Sequence, residues 1–106
     1  MRLTPEQSEI IRKAAETAFG AETRVWLFGS RVDDQKRGGD IDLLIQSPTR
    51  SDEPGEDAAT ANLRRKLRLL ALLERQLGER RIDVIIEAPG DLRPIVAIAH
   101  ATGVRL

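Results

Sequence analysis

Asp40 and Asp42 flank a single isoleucine and lead into the apolar run Leu43-Leu44-Ile45. Side chains alternate along an extended chain, so the two carboxylates point the same way, roughly 7 Å apart at the backbone. A third acid, Asp83, sits in a second apolar run, Ile82 to Ile86. Carboxylate oxygens suit hard cations, and Mg²⁺ is usually held by one or two of them together with substrate phosphates. Three carboxylates gathered at one sheet edge would repel each other unless a divalent cation neutralised them. Two such ions, about 3.5–4 Å apart, can hold the attacking and leaving oxygens of an in-line phosphoryl displacement.

The complementary half of the chemistry lies upstream. The run Val25-Trp26-Leu27-Phe28 ends in Gly29-Ser30, and residues 31–39 separate that dipeptide from Asp40. Glycine lets a phosphate come close to the backbone. A helix starting after Gly29 would aim free N–H groups and its positive dipole end at an anion. The Ser30 hydroxyl adds one hydrogen bond, and Arg31 and Arg37 are cations suited to a triphosphate.

These residues need a scaffold, and its elements are readable. Thr4-Pro5-Glu6-Gln7 is a helix start with a cap, a proline at the first position and a closing glutamine. Ile10, Ile11, Ala14, Ala15 and Ala18 follow at helical spacing, which predicts a helix over 5–19, stopped by Gly20. Strands are predicted at 24–28, 40–46 and 82–87, with a short helix after Ser30. The second strand is nearly all apolar and is expected to be covered on both faces. Residues 47–57 read as a surface loop. A helix is predicted from Ala58 to Leu77, with Leu63, Leu67, Leu70 and Leu77 on its apolar stripe. A last helix is placed over 92–101 and a strand stub at 104–106. The order helix-strand-strand-helix-strand-helix is that of an α/β domain, a small mixed sheet with helices packed on it.

Bulk properties narrow the classes. The chain has 106 residues, enough for one domain spanning 1–106. Its net charge is zero, so direct nucleic-acid binding through bulk charge is not expected. It has no cysteine, which excludes thiol-ligated metal and disulfides and points to the cytoplasm. No apolar run reaches the ~20 residues of a membrane span, and the N-terminus lacks the apolar core of a signal peptide. Trp26 and Phe28 are read as core. The basic residues Arg64, Arg65, Lys66 and Arg68, with Arg75, Arg80 and Arg81, are read as solvated surface. His100, the one histidine, is assigned a structural or surface role.

The combined pattern resembles the minimal nucleotidyltransferases of the DNA polymerase beta superfamily. It consists of an apolar strand, Gly29-Ser30, a spacer, Asp40-Ile41-Asp42-Leu43 and a later Ile82-Asp83-Val84, and it runs over nearly the whole chain. The resemblance implies the nucleotidyltransferase fold. It implies that Asp40, Asp42 and Asp83 are both catalytic and metal-binding, with one or two Mg²⁺ ions. Gly29 and Ser30 would hold the β and γ phosphates of ATP or another nucleoside triphosphate. A nucleoside monophosphate would pass to an acceptor hydroxyl, releasing pyrophosphate. Small members of the family pair with a separately encoded helical protein of the HEPN type and act as antitoxins by transferring AMP to a tyrosine of that ribonuclease. A homo-oligomer is left open. Two other functions stand beside this one. Asp33 and Asp34 depart from the family's post-Gly-Ser segment, which favours a binding module that neutralises its partner by complex formation. A transferase for a small hydroxylated acceptor ranks last.

Overall fold

The computed structural model describes residues 4–29, 41–47, 55, 57–78, 81–88 and 90–106. Its elements are α1 (Pro5–Phe19), β1 (Arg24–Phe28), β2 (Ile41–Gln46), α2 (Ala58–Leu77), β3 (Ile82–Ile86), α3 (Pro94–Thr102) and β4 (Val104–Arg105). This is a small α/β fold in which, among the described residues, one four-stranded mixed sheet, ordered β3-β2-β1-β4, carries three helices. β1 is antiparallel to both β2 and β4, while β2 and β3 run parallel. Parallel neighbours need a long crossover, and α2 supplies it. Among the described residues no helix is long and apolar enough to cross a membrane.

Local chemistry explains the helix ends. Thr4 Oγ1 accepts from the Gln7 N–H at 3.1 Å, and Gln7 Oε1 accepts from the Thr4 N–H at 3.0 Å. This reciprocal box satisfies donors that a bare helix start leaves open. Asp57 caps α2 by accepting from the Thr60 N–H at 2.7 Å, a bond that holds its carboxyl below the ordinary range. α3 has no capping side chain at Arg93. Asp91 instead ties the turn before it, accepting from the Ala88 and Arg93 N–H groups at 3.1 and 3.0 Å and from the Arg93 guanidinium. Arg93 in turn donates to the Ile86 carbonyl at 2.6 Å, linking the start of α3 to the end of β3.

The sheet separates two apolar layers. On one face Ile41, Leu43, Ile45 and Val84 pack under α1 and α2, against Ile11, Ala15, Leu69 and Leu73. On the other, Phe28 and Leu44 pack under Val96 and Ala99 of α3. β2 is thus covered on both sides, and Ile41, Leu43, Leu44 and Ile45 are fully buried. Gly103 brings the end of α3 down onto β1: a Cβ there would meet the Ala99 carbonyl oxygen at 2.3 Å and the Leu27 carbonyl oxygen at 3.0 Å.

Several readings differ from the sequence expectation, among them Arg65, read as solvated surface but buried. The buried line of α2 is Ala61, Arg65, Leu69 and Leu73, whereas Leu63 and Leu67 are each 57% exposed. Leu70 and Leu77 do pack at the margin of the core. The small residues of α1 set this rotation, because Ala14, Ala15 and Ala18 admit the 65/69/73 edge closely. Trp26 is half-buried rather than core, with its ring edge-to-face with His100 at 4.6 Å between centroids. The last helix starts at Pro94, two residues later than expected, because the Asp91 turn holds the preceding backbone.

The Arg93 side chain first, then the Ala88 and Arg93 N–H groups, hold the Asp91 carboxyl well below the usual carboxylate range. A depressed folded-state pKa stabilises the fold above the ordinary Asp value, and the gain is lost as pH falls below it. Asp91→Asn should therefore lower resistance to urea at pH 7, and its deficit against the unsubstituted chain should shrink between about pH 4 and pH 2. A deficit independent of pH would contradict this role.

Candidate functional site

The edge where β1 ends and β2 and β3 begin collects the candidate residues. Asp42 is the cross-strand partner of Phe28 on one side and of Asp83 on the other. Alternation assigns the faces: Ile41 and Leu43 point into the α1/α2 layer, so Asp42 lies on the opposite face with Leu44. Asp83 shares that face for the same reason, flanked by Ile82 and by the buried Val84. Strands lie about 4.8 Å apart, so the in-register pairing makes Asp42 and Asp83 direct neighbours.

Gly29 closes the site from the β1 side. Its φ is +78°, in the left-handed region, and a Cβ there would stand 2.2 Å from Asp42 Oδ2 and 3.1 Å from Asp42 Cγ. The Asp42 carboxylate therefore rests directly against the glycine backbone, and any larger residue would push it aside. Asp83 is more open, with its side chain 52% exposed, and Arg81 Nε lies 3.9 Å from its Oδ2. Arg81 is also fixed by its backbone, since its carbonyl accepts from the Ile41 N–H at 2.9 Å.

The structure thus brings together Gly29, Asp42 and Asp83. Asp40, Ser30, Arg31 and Arg37 lie outside the described residues, as does the short helix expected after Ser30. Among the described residues no group of three His, Cys, Asp or Glu side chains is placed to hold a metal ion. The pair of carboxylates nonetheless fits a hard divalent cation: both are oxygen donors and one is solvent-accessible.

Arg81 is a neighbour that the sequence reading missed by placing it with the surface cations. It lies just before β3, and its place beside Asp83 follows from the pairing with β2 rather than from any local pattern. His100 has a defined partner. Its Nε2 meets Glu87 Oε1, and Gln46 Nε2 donates to Glu87 Oε2 at 3.0 Å. Burial works against the charged form of Glu87, but the bonds from His100 and Gln46 outweigh it and hold the carboxyl below its ordinary value. This polar row lies at the far end of β2 and β3 from Asp42 and Asp83. A cavity of about 700 Å³ opens at that same far end, lined by Arg12, Glu16, Thr23, Arg24, Gln46 and Arg105 among others, and by none of the candidate site residues.

A family model described as a nucleotidyltransferase domain matches residues 8–101, a span that contains Gly29, Asp40, Asp42 and Asp83. The chain belongs to the nucleotidyltransferase domain family. No curated protein and no solved structure matches it. Membership makes nucleotidyl transfer the class of activity for this domain, and transferase its enzyme class.

The close approach at Gly29 can be tested within this nucleotidyltransferase domain. Gly29→Ala incurs backbone strain and also displaces Asp42, whereas Gly78→Ala, at a φ of +81° in open space, incurs strain alone. Strain of this kind costs about 1–3 kcal/mol at either position, and at Gly29 the displaced Asp42 carboxylate adds to it. Urea denaturation should rank Gly29→Ala as the more destabilising, and equal losses would contradict the contact.

Proposed function

We propose that this single domain is a minimal nucleotidyltransferase that moves AMP from ATP, with Mg²⁺, onto a hydroxyl of a partner protein. The observation that carries this reading is the in-register placement of Asp42 beside Asp83, with Gly29 against Asp42. In this reading Asp40, Asp42 and Asp83 hold the metal, and Gly29, Ser30, Arg31 and Arg37 receive the triphosphate. When bound, the divalent cation neutralises phosphate charge and lowers the cost of the crowded phosphoryl centre.

The protein's own residues supply the rest. Asp42, fixed between β1 and β3 and seated on Gly29, gives a rigid oxygen donor at the mouth of the sheet. The missing side chain of Gly29 lets the Asp42 carboxylate sit against the backbone, where any larger residue would push it aside. Asp83, half-exposed on the edge strand, is accessible to an incoming hydroxyl and accepts its proton. The hydroxyl oxygen forms a bond to the α-phosphorus, the bond from that phosphorus to the bridging oxygen breaks, and pyrophosphate leaves with the electron pair. The acceptor we favour is a tyrosine of a separately encoded HEPN-type helical protein, for which this chain serves as antitoxin in the cytoplasm.

A second reading, a binding module that neutralises its partner without chemistry, has an observation of its own. Leu92, just before α3, and Ile95 and Ile98, one turn apart on it, are exposed, and exposed apolar surface of this kind can serve a partner. One experiment separates the two. Incubating the protein with the HEPN-type partner, Mg²⁺ and ATP labelled on its α-phosphate should label the partner. Asp42→Asn should reduce labelling to background while the complex still forms. Undiminished labelling by Asp42→Asn would contradict the enzyme reading. Full protection of cells from the toxin by that variant would favour the binding module.

A further inference from the structure

We infer that Arg81 is the built-in counter-ion of the acidic pair, holding Asp83 until a divalent cation displaces it. The inference rests on the metal reading of Asp42 and Asp83 proposed above. Two independent contacts place the residue. Its Nε lies 3.9 Å from Asp83 Oδ2, and its carbonyl oxygen accepts from the Ile41 N–H at 2.9 Å, on the first rung between β2 and β3. The backbone bond fixes where the side chain starts, one residue before β3, and the ion pair shows that it reaches Asp83.

The electrostatic need is plain. Carboxylates directly opposite on neighbouring strands repel. A guanidinium is always charged and offers several donors, so it offsets part of that repulsion without any titration. Its side chain is 74% exposed, so it can swing away at little cost when a cation with higher charge arrives. The same geometry makes Arg81 a competitor: a divalent ion must displace it from Asp83 or share the carboxylate with it. Arg81 is therefore a positioning residue that sets how tightly the site takes metal, through Asp83.

The test is direct binding of Mn²⁺ alone, followed by electron paramagnetic resonance, with no nucleotide and no turnover. An exposed ion pair is worth about 0.2–1 kcal/mol, so Arg81→Gln should bind Mn²⁺ about 1.4- to fivefold more tightly at low salt. The gain should fade as salt screens the pair. Arg81→Lys should behave as the unsubstituted protein. Arg24→Gln, a charge change at the far end of β1, should leave affinity unchanged. Equal affinity of Arg81→Gln and the unsubstituted protein, or an equal gain in Arg24→Gln, overturns the role of Arg81. If Mn²⁺ binding to the unsubstituted protein is insensitive to Asp42→Asn, the metal site itself fails, which is a separate result.

Discussion

The parallel pairing of β2 with β3 places two negative charges side by side, and the rest of the molecule must tolerate that. Asp42 and Asp83 are partners in a register that also matches Ile41 with Ile82 and Leu43 with Val84. Like charges at about 5 Å cost on the order of 1–3 kcal/mol, less where water screens them. Burial of Ile41, Leu43 and Ile45 opposes that cost, each side chain contributing about 1.5–3 kcal/mol. Burial wins, so the register holds without help from a ligand. A one-residue slip would turn every apolar side chain of β2 to the wrong layer, which pins the acids in place. The repulsion is then stored at the sheet edge, where a cation can relieve it.

The helices serve that edge from opposite sides. α1 and α2 bury the face of β2 that carries Ile41, Leu43 and Ile45. α3 covers Phe28 and Leu44, the residues next to Asp42 across and along the sheet. Gly103 allows the end of α3 to close on β1, and Gly29 allows β1 to close on Asp42. Both glycines work by lacking a Cβ, one for packing and the other for the site. The result is a carboxylate with little room to move beside one that faces water. That asymmetry suits a pair in which one acid orients and the other exchanges with solvent or substrate.

Much of this was legible in the amino-acid order, for local reasons. The capping box of α1 involves residues three apart, and β2 announces itself by an unbroken apolar run. Gly29 and Asp42 could be linked because Gly29-Ser30 followed by Asp40-Ile41-Asp42 resembles the nucleotidyltransferase pattern. What escaped was set by rotation and register. Leucines at 63 and 67 have the right spacing for a buried stripe, yet α1 packs against the neighbouring line through Arg65, Leu69 and Leu73. Trp26 alternates correctly for a strand and packs at the margin of the α3 layer, but its ring stays half-buried, with His100 at its edge and the Arg105 guanidinium 6.0 Å from its centroid. Arg81 acquires meaning through its pairing with β2, which no local pattern reports.

The central claim is that folding makes one cation site from Asp42 and Asp83. Crystals soaked in Mn²⁺ and measured for anomalous scattering test it most directly. An anomalous peak is expected within coordination distance of both carboxylates, beside Gly29. A peak bound to one of them alone, or none at this edge in well-ordered crystals, would contradict it.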